Sequence, residues 1–437
     1  MKTLKELLLR LFIKMTGING KFREYKLKNG LYVALQETPT ETIAGRLRVN
    51  YAALHEKKGE EGLAHFLEHA LIMGGTKRYS PREVDDIWGN LGNINAFTGM
   101  DRTCIPVDML ADDLEQYLAF ASETFFNPRF DSQRLNEQRQ RVLREIADTK
   151  SNPLFRDNQD YLRTLLGDHP SNHFILGKEQ VIENSSQDDL RKFHSKGYNA
   201  NNMDLILVGR LPPNVDYLIE KYFSDQPTGG NTKFQFPHAK DLEQRTILHR
   251  TAPDRYNADS PQESSALMTI GFLVPPESSD DFAALQVLSY LLGGDSSSRL
   301  FQSISQRKGL AYGIHAEYDG SYGKGIVCIQ AEVPSIKQHD AIEAIFYEME
   351  KLKSEPVRSA ELDRIRKTAK YSIAKHFESN HGHVDAIETK NDTGRTPESS
   401  MANLNKLTPE KIREVAQRYL PSTNGNYVLL IRDPLKM

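Results

Sequence analysis

The sequence predicts an α+β chain made of two homologous sheet-and-helix domains that derive from a duplicated unit. Three observations carry this expectation. Hydrophobic spacing switches repeatedly between strand-like alternation and helical periodicity in both halves of the chain. Each half has a helical stretch closed by a glycine pair, Gly74-Gly75 and Gly293-Gly294, and a later proline before a long helix, Pro128 and Pro356. Between the halves, Ser224–Lys240 is rich in Pro, Gly and polar residues and has no periodicity, as a linker would be. The expected organisation is an N-terminal extension at 1–21, a first domain at 22–228, a linker at 229–244 and a second domain at 245–437.

The elements follow in order. Lys26–Gln36 reads as two strand segments around an Asn-Gly turn. Thr42–Ala53 alternates apolar and polar residues like a half-buried strand. Gly62–Met73 is helical and stops at the glycine pair. Pro81–Leu91 is a second helix, Asn93–Pro106 returns to strand character, and Ala111–Asn127 and Ser132–Lys150 are longer helices. In the second half, Ala266–Val274 is a strand and Asp281–Leu292 a helix, followed by a helix, a glycine-rich strand and two long helices. The first fifteen residues, Met1–Met15, form an amphipathic stretch without a small-residue cleavage site, so a secretory signal is not expected; a short helix packed on its own domain is favoured over one for a membrane surface or a partner.

A chain of 437 residues with 38% hydrophobic residues can bury more than one core. A net charge of −3 gives no reason to expect nucleic acid as the partner. With only Cys104 and Cys328, no disulfide scaffold is needed. A reducing compartment follows, the cytoplasm first and the mitochondrial matrix second. No run of 18 apolar residues is present, so no transmembrane segment is expected.

The chemistry concentrates in Gly62–Thr76, GLAHFLEHALIMGGT. His65 and His69 are four residues apart and share one helical face, an arrangement that can hold one Zn²⁺. Glu68 lies near that face without being a ligand and suits a general base toward a metal-activated water. A third protein ligand is required, and Ser132–Lys150 offers Glu137, Glu145 and Asp148. Glu145 follows an apolar pair and can face the core. At the offset set by the glycine pairs, the second half carries Ala284, Val287 and Leu288 where the first has His65, Glu68 and His69. The duplicated unit therefore keeps its metal chemistry in one copy.

These segments resemble the inverted-motif zinc peptidases of the pitrilysin, insulysin and mitochondrial processing peptidase family. The likeness runs from about Phe22 to Pro434 and rests on four pieces: AHFLEHALIMGGT, Asn95-Ala96-Phe97-Thr98, Arg141–Ile146 and Gly309-Leu310-Ala311-Tyr312. Glu145 lies 76 residues after His69, as the family's third ligand does. The resemblance implies a zinc metalloendopeptidase with one zinc per chain, held by His65, His69 and Glu145, and with Glu68 as general base. It implies a clamshell-type peptidase fold around a chamber that admits peptides, unfolded segments or leader segments. Substrate would add as a strand along Asn95, Ala96, Phe97 and Thr98, with Tyr312 reaching it from the second half.

Two positions depart from the family pattern. Where the family usually has a second Glu seven residues before the distal ligand, this chain has Gln138, which can hydrogen-bond a ligating His but adds no charge. Where the family often has an Arg seven residues before the Tyr, this chain has Ser305, with Arg307 two residues on. The incomplete Arg–Tyr pair implies a dimer with a homologous zinc-free partner chain, and a homodimer as second choice. The alternative to an enzyme is a non-catalytic structural or peptide-binding subunit of the same family. His169 and His173 are expected in a solvated loop, and His381 and His383 in a flexible polar turn. Gly293–Ser298 lacks the lysine of a phosphate loop.

Overall fold

A computed structural model describes residues 22–230, 232, 234–257, 259–260 and 264–434. The amphipathic stretch Met1–Met15 lies outside the described residues. The chain forms two compact units that are not contiguous in sequence. Unit 1 takes the chain up to Thr149, then His173–Gln235 and Ser372–Pro397; unit 2 takes Lys150–Asn172, Phe236–Tyr371 and the chain from Glu398 onward. A division at the linker alone, 22–228 against 245–437, differs from this by two exchanged segments.

In the first part of the chain the strands are β1 (Phe22–Lys26), β2 (Tyr32–Glu37), β3 (Thr42–Val49), β4 (Asn93–Ile94), β5 (Phe97–Thr98), β6 (Thr103–Leu110) and β7 (Met203–Gly209). The helices are α1 (Leu63–Met73), α2 (Pro81–Asn90), α3 (Leu114–Phe126), α4 (Ser132–Ser151), α5 (Pro153–Leu166), α6 (Glu179–Asn184), α7 (Gln187–Gly197) and α8 (Val215–Phe223). The strands of unit 1 join in the order β1-β2-β7-β3-β6-β4, with β5 also on β6. β2 and β7 are parallel and the other pairs antiparallel. The hairpin turn places Gly30 at φ +90, which favours glycine, and buried Asn29 donates to the Phe223 carbonyl at 2.6 Å.

Strand alternation sends Ile43, Leu47 and Val49 of β3 into a core shared with Phe66, Leu67 and Ala70 of α1 and with Tyr117 and Phe120 of α3. The alternate residues, Ala44, Arg46 and Arg48, face the other side. There α12 (Asn380–Thr393) packs Val384 and Ile387 on Ala34, Ala44, Ile206 and Val208. Charges complete this contact: Arg46 pairs with Asp385 at 3.1 Å and with Glu388, while fully buried Arg48 pairs with Asp204 at 2.6 Å and Asp392 at 2.8 Å.

Unit 2 repeats the scheme. Its strands β8 (Thr246–Thr251), β9 (Ser265–Leu273), β10 (Gly313–Asp319), β11 (Ile326–Pro334) and β12 (Val428–Asp433) join as β10-β11-β9-β12-β8. Here β8 and β12 are the parallel pair, as β2 and β7 are in unit 1. Its core-side helices include α9 (Phe282–Gly293), α10 (Gln338–Ser354), α11 (Ser359–His376), α13 (Pro397–Lys406) and α14 (Pro409–Tyr419). On the opposite face α5 packs Tyr161, Leu165 and Leu166 against Ile326, Val428 and Leu430, and Asp157 accepts from buried Arg432 at 2.8 Å. Each sheet is thus covered by a helix from the opposite half of the chain. The shared strand order and the matched parallel pair bear out the duplicated two-domain α+β reading. Among the described residues, no helix is long and apolar enough to cross a membrane.

Candidate metal centre

The helix α1 forms because Leu63, Ala64, Phe66, Leu67, Ala70 and Leu71 supply a wide apolar face that the core buries. It starts after Gly62, at φ +98, and stops at Gly74, whose N–H reaches the Ala70 carbonyl at 3.0 Å. His65 and His69 fall one turn apart, their rings 4.7 Å between centroids and nearly perpendicular. The helix α4 buries Leu135, Gln138, Val142 and Ile146 as one stripe, and Glu145 flanks that stripe. Glu145 Oε2 stands 3.7 Å from His65 Nε2 and 3.7 Å from His69 Nε2.

Ligand atoms of His65, His69 and Glu145 all lie within 4.8 Å of one another. Two ligands bound tetrahedrally at about 2.0–2.1 Å sit roughly 3.4 Å apart, so small side-chain shifts would close the set on one ion. The donor chemistry agrees. Burial, aided by His69, pushes the His65 imidazole down to about 3, and burial also lowers His69. Both rings are therefore neutral, the form that ligates a metal. Gln138, buried on α4, places Oε1 3.4 Å from His69 Nδ1. His65 Nδ1 is buried with no hydrogen-bond partner among the described residues. Glu145 keeps 44% of its side chain exposed, which leaves an open side to the set.

Glu68 is buried beside these groups. Burial pushes its carboxyl up to about 7, with Glu145 adding to the rise and Thr98 opposing it. The Thr98 hydroxyl donates to Glu68 Oε2 at 2.6 Å. Sequence reasoning places Thr98 on the substrate strand and misses this bond, since residues thirty positions apart on different elements leave no local signal. Glu137 forms its contacts with Gln133 and Arg134 on the exposed side of α4.

The expected strand over Asn93–Pro106 is interrupted. Gly99 donates to the Arg102 carbonyl at 2.8 Å in a tight turn, which leaves β4 and β5 as short pieces along β6. Asn95 N donates to the Pro106 carbonyl at 3.1 Å, Ala96 packs against the core, and Phe97 is 42% exposed at the sheet edge. Tyr312 lies in unit 2, exposed, with its N–H on the Glu332 carbonyl. Ser305 and Arg307 fall in a π-helical stretch, Phe301–Arg307.

Four histidines depart from expectation. His169 is buried, bonded to Ser171 at 2.8 Å and to the Pro237 carbonyl at 2.9 Å. His173 contacts the buried carboxylate of Glu56 at 2.7 Å. Neither is a solvated loop residue, because nearby acceptors compensate their burial. His381 and His383 sit on α12 rather than in a turn; His381 pairs with Asp108 and His383 is buried against Phe377. Ser379, which accepts from Gly382 N at 3.2 Å, caps that helix.

Residues 32–167, which contain His65, Glu68, His69 and Glu145, match the family model described as Insulinase (Peptidase family M16), and residues 184–369 match the one described as Peptidase M16 inactive domain. The chain belongs to the M16 peptidase family. The stretch that matches the model named for an inactive domain contains none of His65, Glu68, His69 and Glu145. A protein named as an uncharacterized zinc protease of Rickettsia bellii is 29% identical over 79% of this chain and 81% of its own length. The uncharacterized zinc protease YmxG of Bacillus subtilis is 24% identical over 94% of this chain and 98% of its own. Among solved structures, a protease from Helicobacter pylori has a TM-score of 0.80 at 24% identity, covering 94% of this chain and 99% of that one. The peptidase M16 inactive domain from Pseudomonas fluorescens also scores 0.80, at 19% identity over 95% of this chain and 98% of that one. The structural likenesses show the shared fold.

Proposed function

We propose that the chain is a zinc metalloendopeptidase acting on peptides or on unfolded and leader segments. The observation that carries this reading is the convergence of His65, His69 and Glu145 from two helices, with buried Glu68 beside them. The names of the curated relatives, zinc proteases, support the choice of metal. A zinc ion held by these three residues would supply Lewis-acid activation of water and polarisation of the scissile carbonyl.

The chain's own residues perform the rest. Glu68 takes the proton from the attacking water and returns it to the leaving amine. A carboxyl raised to about 7 holds and releases a proton readily near neutral pH. The Thr98 hydroxyl fixes that carboxylate at 2.6 Å. The outer edge formed by β4 and β5, which no further strand covers among the described residues, offers main-chain groups to an extended peptide, with Phe97 beside it. Tyr312 serves as a substrate-binding residue, and the Arg that Ser305 cannot replace comes from a homologous zinc-free chain unless Arg307 substitutes for it, a homodimer being the second choice of dimer.

Zinc analysis and one variant test the reading. The purified chain should bind close to one zinc, and Glu68→Gln should keep it while peptide hydrolysis drops at least ~10²-fold. Near-normal turnover in Glu68→Gln would remove Glu68 from the mechanism. A chain that takes up no zinc would overturn the proposal as a whole.

A further inference from the structure

We infer that Glu56 and His173 are positioning residues for the metal-binding helix, acting through its first turn on His65. The inference rests on the metal reading of the site.

The start of α1 has no capping side chain of its own. Its N-cap is Gly62, and no acidic residue lies in its first turn. The N–H groups that a helix leaves open at this end must find acceptors elsewhere. Glu56 provides them from outside the helix: Oε2 accepts from Gly62 N and Oε1 from Ala64 N, each at 2.8 Å. Ala64 is the residue before His65. The Glu56 side chain is fully buried, and its Oε2 also meets His173 Nε2 at 2.7 Å. Three donors thus compensate one desolvated carboxylate, and removing any of them leaves it short.

The segment that carries His173 is fitted to the same helix start. Lys178 N donates to the Glu61 carbonyl at 3.1 Å, and Lys178 Nζ pairs with Glu61 at 2.8 Å. Gly177 lies so close to Gly62 that a Cβ on it would stand 2.2 Å from Gly62 Cα. Residues 173–178 therefore brace residues 56–62 by side-chain and main-chain contacts.

The reason such a brace matters lies in His65. A ligating histidine is usually oriented by a hydrogen bond from its second ring nitrogen. His69 has Gln138 near that nitrogen, but His65 Nδ1 has no partner among the described residues. The direction of the His65 ring is thus set by packing and by where the first turn of α1 sits. Glu56 and His173 determine the latter.

The test measures zinc affinity of the metal-free full chain by competition with a chromogenic chelator, together with the d–d spectrum of the cobalt-loaded protein and the thermal midpoint of each variant. His173→Ala and Glu56→Gln should weaken zinc binding at least ~10-fold, the scale for outer partners of metal ligands, and alter the cobalt bands. His173→Gln, which can still donate to Glu56, should recover most of the affinity. A control substitution far from the site, Asn29→Ala, serves to produce loss of stability without change in zinc affinity. Wild-type zinc affinity and cobalt bands in His173→Ala and Glu56→Gln would overturn the inference while leaving the metal site standing. Equal losses of affinity in Asn29→Ala and His173→Ala at equal loss of stability would also overturn it. Failure of the parent chain to bind zinc would overturn the metal reading, and this inference with it.

Discussion

Replacing Thr98 by valine removes one hydroxyl and little volume, so it isolates the bond to Glu68. That bond is 2.6 Å long and runs from a hydroxyl to a buried carboxylate. Hydrogen bonds to charged groups contribute about 1.5–3 kcal/mol, and Thr98 is partly exposed, which favours the lower end. About 1.5 kcal/mol corresponds to roughly one pKa unit. The direction is fixed by the sign of the contact: Thr98 stabilises the ionised form, so its loss raises the Glu68 carboxyl further. On the acid limb of the pH profile, kcat/KM of the zinc-loaded Thr98→Val protein should therefore fall ~10-fold, and the limb should move up by about one pH unit. The two profiles should converge on the alkaline side, where Glu68 is ionised in both. Thr98→Ser should keep the parent profile. A uniform loss at every pH would assign the hydroxyl to substrate or fold instead, and an unmoved acid limb would refute the argument.

Three further outcomes are expected. Arg48→Met takes the arginine from Asp204, leaving it Asn50 at 3.3 Å, while Asp392 keeps Arg102 at 2.6 Å; the loss should cost about 3 kcal/mol, read as a lower urea midpoint, and an unchanged midpoint would show that the network adds no net stability. Gln138→Glu places a carboxylate 3.4 Å-range from His69 Nδ1 and should tighten zinc binding by about 10-fold in competition titrations, whereas weaker binding would place residue 138 outside the ligand's hydrogen-bond system. In unit 2, burial raises the Glu361 carboxyl but Arg299 and Arg358 more than offset it and hold it at about 2, against an ordinary 4.5. The folded value is the lower one, so this stabilisation is complete above 4.5 and is lost as pH falls through about 2. Glu361→Gln should lower the thermal midpoint at neutral pH and match the parent near pH 2; a difference that persists there would be steric.

The grouping of the candidate site was legible where its logic is local. His65 and His69 share a face by spacing alone, and α1, β2 and β3 follow from periodicity close to their observed bounds. Glu145 is distant in sequence, so its choice over Glu137 and Asp148 came from family resemblance. What sequence could not show are contacts made only by tertiary placement. Thr98 reads as a strand residue, and nothing near it announces Glu68. His173 reads as a solvated loop residue because connections usually run over the surface, yet the acceptor that holds it, Glu56, lies in another loop. The start of α12 reads as a polar turn, although its Val384 and Ile387 are buried, and nothing in the sequence says which sheet α5 and α12 cover.

That last feature affects how the protein is made. The strands of unit 1 are complete once β7 has been synthesised, whereas α12 begins at Asn380. At ribosomal rates of about 5–20 residues per second, the interval is on the order of 10–30 s. Throughout it, Ala44, Ile206 and Val208 form an uncovered apolar surface, and Arg46 and Arg48 lack the acidic partners that α12 brings. The nascent first half therefore presents a sticky sheet face for which a chaperone is a natural guard. A gene divided at the linker would yield two fragments, each without the helix that covers its own sheet and each carrying the helix that covers the other's.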